Sequence, residues 1–146
     1  MKNLFITTAV LAASLIALAA DKPDDSKAIQ GVWKPITAVL AGQPLPPPSI
    51  QAITLKLKDN CYEVTVEGQA APDQGTWKLH TATEPKSMSI TSTNGPNNGK
   101  TFPAIYEVKG DTLRICYDLS GASPPKTFES VPGTKFFLVT YKRQKQ

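Results

Sequence analysis

The stretch ITLKLKDNCYEVTVE, residues 53–67, decides the fold. Its residues alternate with a period of two, Ile53, Leu55 and Leu57 on one face and Thr54, Lys56 and Lys58 on the other. Such alternation marks a strand with one buried and one wet face, whereas a helix repeats its apolar positions every three to four residues. Asp59-Asn60 follows, and short polar side chains of this kind tolerate left-handed backbone and bond locally in turns. The alternation then resumes, with Tyr62, Val64 and Val66 opposite Cys61, Glu63, Thr65 and Glu67. The stretch predicts a β-hairpin with one apolar face.

Outward from this hairpin the same period continues. It predicts strands at GTWKLH (75–80), KSMSITS (86–92), PAIYEV (103–108), TLRICYD (112–118) and KFFLVTYKR (135–143), with a first strand opening near Gln30. KTFES (126–130) reads as a further short strand. Lys109-Gly110-Asp111 is a tight connection. The Pro run QPLPPPSI (43–50) crosses or covers an end of the sheet, because Pro cannot donate to a ladder. The loop of NGPNNGKTFPAIYEV (94–108) is rich in residues that accept positive φ. It reads as a lip at one end of the sheet, closed by Phe102 or Tyr106, and not as a phosphate loop, since no helix follows it. QGVWK (30–34) and QGTWK (74–78) echo each other; each reads as a Gly in close approach to a neighbour, followed by an inward Trp. Eight or nine short strands without helical crossovers predict an all-β antiparallel sandwich or barrel.

The N-terminus carries a different pattern. After Met1-Lys2-Asn3, residues 4–20 (LFITTAVLAASLIALAA) contain no charge and end in small residues at Ala17 and Ala19. This predicts a secretory signal over residues 1–20 rather than a retained membrane anchor, with release to the periplasm or the medium. DKPDDSKA (21–28) reads as a flexible leader, and residues 29–143 as one domain. The 16 basic and 12 acidic residues give a net charge of +4. The basic residues are scattered, without the aromatic-interleaved stripe of a nucleic-acid binder. A monomer is the expected state.

Inventory argues against catalysis. The single His, His80, alternates with Trp77 and Leu79 toward the opposite, solvent-facing side. No nucleophile elbow and no metal-ligand spacing is present. The reading is therefore no enzyme, no cofactor and no metal. Cys61 and Cys116 both fall on the outward parity of strands that are not sequence neighbours, and a bridge between them is not expected.

Gly31-Val32-Trp33 resembles the G-x-W signature of lipocalin-type barrels, and Arg143 resembles the basic residue that packs over that Trp from the last strand. QGVWK, GPNNGKTFPAIYEVKGDTLRICYD and Phe128 together resemble the planctomycete-type uncharacterised lipocalin-like domain of bacteria, over about residues 29–143. The resemblance implies an exported, eight-stranded, up-and-down barrel and no established activity. One departure stands out. Family members commonly carry an Arg-Pro pair before the segment that leads to the last strand, whereas this chain has Pro124 where the Arg would be. No anion-binding role of that Arg carries over.

In a barrel the apolar parity is the lumen. All four Tyr (Tyr62, Tyr106, Tyr117 and Tyr141) and both Trp (Trp33 and Trp77) fall on it. Such a barrel either fills with side chains or holds one small ligand, and the residue types admit both. With Phe102 at the lip, these seven residues form the candidate ligand-binding set, and Trp33 with Arg143 the candidate barrel closure. Tyr pairs an apolar ring with a hydroxyl that needs a partner, so an amphipathic small molecule is the expected ligand. The alternatives are an exported interaction protein, such as a protease inhibitor using residues 21–28 as an arm, or a purely structural surface domain.

Overall fold

A computed structural model describes residues 24–145; the expected signal segment and the first leader residues lie outside the described residues. In chain order the elements are α1 (Asp25–Ala28), β1 (Gly31–Leu40), β2 (Gln43–Pro44), α2 (Pro47–Gln51), β3 (Ile53–Lys58), β4 (Cys61–Val66), β5 (Asp73–His80), β6 (Ser87–Asn94), β7 (Thr101–Lys109), β8 (Thr112–Asp118) and β9 (Phe136–Arg143). The hairpin read from residues 53–67 is β3–β4, with Leu55 opposite Val64 and Leu57 opposite Tyr62. Asp59 supplies the positive φ of its turn, at 53°.

Every ladder is antiparallel and every main strand pairs with its sequence neighbours, β3 lying beside β1. β9 returns to pair with β1, Trp33 opposite Arg143 and Leu40 opposite Phe137, which closes eight strands into an up-and-down barrel. The two-residue β2 only extends β1 at its far end. In β1 the register slips between Pro35 and Thr37. The extra residue, Ile36, is 53% exposed, and the inward parity passes from Trp33 and Pro35 to Ala38. Pro35 has no N–H for the ladder, and a bulge is where a strand tolerates one.

The parity of the other strands is the one the sequence predicts. Leu55, Leu57, Tyr62, Trp77, Met88, Ile90, Tyr106, Leu113, Ile115, Val139 and Tyr141 all enter one buried cluster. The two echoed Gly residues sit at close approaches. A Cβ on Gly75 would lie 1.9 Å from the Thr91 carbonyl oxygen and 2.8 Å from the Tyr62 ring, and one on Gly31 (φ 140°) would lie 2.7 Å from an Arg143 nitrogen.

Because the strands alternate in direction, the connections sort to two ends. Tight turns at 59–60 and 110–111 and the 81–86 link lie at the end where β1 begins and β9 finishes. The long connections 41–52, 67–72, 95–100 and 119–135 lie at the other end.

Two expectations are corrected. The leader is not flexible over its second half: Asp24 caps α1 by accepting from the Ser26 amide at 3.1 Å, and Asp25 and Ile29 are buried. KTFES forms no strand; it packs on the outer wall instead, Phe128 lying under the Arg114 guanidinium at 4.0 Å. Cys116 faces outward but is fully buried, its Sγ 3.7 Å from the Glu129 carbonyl, and burial pushes its thiol up to about 11. Cys61 is exposed and both thiols are free. The Pro run does cover an end, through α2 and through Leu45 and Ile50, which pack against the core.

Candidate functional site

The barrel interior divides into two halves along its axis. Toward the short-turn end, Trp33, Tyr106, Leu113 and Ile29 fill the lumen with side chains that are at most 2% exposed. Toward the long-loop end lies a cavity of about 330 Å³, at the lower edge of the size range of small-molecule sites.

The filled end is built around polar groups that find partners. Tyr106 donates from its hydroxyl to Asp25 Oδ2 at 2.8 Å, and Lys86 Nζ donates to the same oxygen at 2.8 Å. Burial, with the Asp25 carboxylate alongside, pushes the Tyr106 phenol well above its ordinary range. Trp33 Nε1 donates to the Ile29 carbonyl at 2.8 Å. The Arg143 guanidinium lies over the Trp33 ring, 4.3 Å from its centroid. It also donates to the carbonyls of Gln30, Ala28 (2.6 Å) and Gly110 (3.3 Å) and, from Nε, to Asp111 (3.2 Å). A guanidinium suits this place because its planar fork serves several acceptors while its face stacks on an aromatic ring. The Pro-rich crossing lies at the opposite end and takes none of these donors.

The cavity walls come from the inward parity of all eight barrel strands. Ile53, Leu55, Val64, Val66, Ile115 and Val139 supply aliphatic wall, and Phe137 lies against Tyr117 with ring centroids 6.0 Å apart. Tyr62, Trp77, Phe102, Tyr117 and Tyr141 of the candidate set all line it. Trp33 and Tyr106 do not; they share the parity but lie in the filled half, the one covered by Arg143 and the other held by Asp25. Tyr106 is therefore removed from the lip, and of the two candidates there Phe102 alone reaches the cavity.

Polar groups around the cavity are few. The Tyr117 and Tyr141 hydroxyls bond each other at 2.9 Å. Burial and the Tyr141 hydroxyl push Tyr117 well above the ordinary phenol range, and burial raises Tyr141 to about 12. Tyr62 is likewise pushed up to about 12, chiefly by burial. These hydroxyls are neutral donors and acceptors across the physiological range.

Several lining residues were not singled out from the sequence, Gln69 and Leu119 just beyond strand ends among them. Asp73 sits two residues before Gly75 on the inward parity of β5, and Asn97 and Pro96 reach in from the 95–100 loop. An acid on an otherwise apolar parity was the available signal for Asp73. For the loop residues no periodicity exists to read. Lys100, on the same loop, is exposed and lies outside the lining. Among the described residues no group of three His, Cys, Asp or Glu is arranged to hold a metal, and no helix is long and apolar enough to cross a membrane.

The fold and the half-hollow lumen define a class, the closed eight-stranded antiparallel barrel with an internal cavity. No family model, curated protein or solved structure matches the chain.

Proposed function

We propose that this chain is an exported binding module that holds a small amphipathic molecule in the hollow half of its barrel. The observation that carries the reading is the cavity itself, about 330 Å³ of apolar lumen into which a few polar groups converge. Small-molecule sites have this composition, an apolar lining with a small number of placed polar groups. Membership of the planctomycete-type lipocalin-like family, drawn from the G-x-W strand and residues 95–118, belongs to the same proposal and agrees with export. The reading is one of binding and not of catalysis.

The cavity weighs against a purely structural domain, whose core would have no use for it. The inhibitor reading loses support because residues 25–28 are folded against the barrel base, tied by Asp25 and Arg143, and so are not a free arm.

Native mass spectrometry of the chain purified from its own host tests the proposal: a retained small molecule is expected. In parallel, Tyr141→Phe and Trp77→Ala should weaken binding of a hydrophobic fluorescent probe by about fivefold or more, whereas Tyr106→Phe, outside the lining, should not. Binding unaffected by the first two variants, or lost in the third, would overturn the assignment of the lumen.

A further inference from the structure

Among the described residues that line the cavity, one is charged, and it is an acid. Asp73 lines the cavity. Its Oδ1 accepts from the Ser92 hydroxyl at 2.6 Å, and its Oδ2 accepts from the Tyr62 hydroxyl at 3.0 Å and from Asn97 Nδ2 at 3.4 Å. All three donors are neutral. Among the described residues the ion pairs involve Glu63, Asp25, Glu107 and Asp111, and none reaches Asp73. Among the described residues no Lys or Arg lines the cavity. The carboxylate is thus oriented and solvated by the protein but has no counter-ion. An ionised carboxyl offers about four lone-pair sites, so one remains for a ligand.

The opposite wall carries no compensating charge. β8 stands four strands away from β4, and β9 four from β5, in the closed ring, and there they present the Tyr117–Tyr141 hydroxyl pair and the Phe137 ring. The two hydroxyls are bonded to each other, which leaves one O–H to donate to an anionic head group, and an unpaired buried charge is costly. A cation gains on both counts. It meets Asp73 in a lumen also lined by Tyr62, Trp77 and Phe102, and aromatic rings attract positive charge electrostatically. The net charge of +4 on the whole chain opposes a cation only weakly, since exposed charges farther off than about 8 Å are screened at physiological salt.

We infer that the lumen selects cationic amphiphiles, protonated amines with a compact apolar body, and seats the ammonium group on Asp73. This rests on the lumen-binding reading and adds the sign of the ligand's charge. It separates the chain from a carrier of fatty-acid-like anions, which the same apolar walls would otherwise fit.

The test is a matched series of octylamine, octanol and octanoate titrated calorimetrically into the full chain near neutral pH. A charge-assisted hydrogen bond is worth about ten- to hundredfold in affinity. Octylamine should therefore bind at least about tenfold more tightly than octanoate, with octanol between them. Asp73→Asn, which keeps the size and one acceptor oxygen but removes the charge, should bring the amine to within about threefold of the alcohol. The wild-type ranking is informative even if that variant folds poorly. Octanoate binding as tightly as the amine, or all three binding alike, would overturn the charge selection and leave lumen binding standing. If none of the three binds, both readings fall.

Discussion

The two ends of this barrel are made from the same strands and the same residue types, yet one is filled and the other is hollow. At the filled end Trp33, Tyr106 and Ile29 pack to 2% exposure or less. Each polar atom there has a partner supplied by a neighbouring chain segment: Asp25 from α1 for Tyr106, the Ile29 carbonyl for Trp33, and three carbonyls for Arg143. At the hollow end the aromatic residues line space, and the Tyr117 and Tyr141 hydroxyls turn to each other. The difference lies in the connections. Short turns and a folded N-terminal plug bring side chains into the lumen, whereas the long loops stand around a mouth that the 41–52 connection covers in part. A barrel of eight strands has an interior just wide enough for either outcome.

The comparison breaks most directly by truncation at each end. Trp33→Ala removes a fully buried ring from a packed region, and the expected loss is about 3–5 kcal/mol. Phe102→Ala removes a half-buried ring that already faces the cavity, so fewer contacts vanish and the loss should be about 1 kcal/mol or less. Urea unfolding of the two variants checks the contrast. Equal losses would mean that the two halves are packed alike.

A smaller effect sharpens the account of the closure. Arg143→Ala forfeits the stack on Trp33 and leaves carbonyls of the plug without their donor, for an expected loss of about 2–3 kcal/mol. Arg143→Lys keeps the charge but not the planar fork, and should recover less than half of that loss. Amide exchange should show residues 25–30 released in both variants. Retained protection there would detach Arg143 from the plug.

The smallest expected effect is at the mouth and depends on pH. Burial of Asp118 works against its charge, but hydrogen bonds from the Ser120 side chain and amide and the Ser123 amide outweigh it, and its carboxyl is held below the usual range. The unfolded chain therefore takes up the proton first as pH falls. Asp118 contributes stability that is present above the ordinary carboxylate value, about 3.9, and is lost as pH drops through its lower folded value. Asp118→Asn should flatten the fall of the urea midpoint between about pH 5 and pH 2. An unchanged slope would remove Asp118 from the acid response of the loop that begins at residue 119.

Much of this was legible from residues alone. The alternation in ITLKLK, CYEVTVE and TLRICYD assigned strands and the inward face, because a strand presents its side chains with a period of two whatever surrounds it. Asp59-Asn60 and Gly110-Asp111 marked turns through local φ preference. The placement of Arg143 over Trp33, expected from the resemblance to G-x-W barrels, agrees with the same parity once β9 closes on β1. Parity, however, assigns a face and not a height along the barrel. Tyr106 and Tyr117 share a face, and only the assembled barrel puts one against Asp25 and the other in the cavity. For the same reason Trp33 reads like Trp77 in the sequence echo, yet of the two Trp77 lines the cavity and Trp33 does not. Asp25 looked like part of a solvated leader because its partners, Lys86 and Tyr106, are 61 and 81 residues away. The KTFES segment alternates like a strand but finds no free edge, since β9 already joins β8 to β1. The sequence by itself determined strands, turns and which face is apolar, all set by local geometry and by the solubility of single side chains. The tertiary structure alone decided where the lumen is filled, where it is open and which acid lines it, because those depend on which distant segments meet at each end.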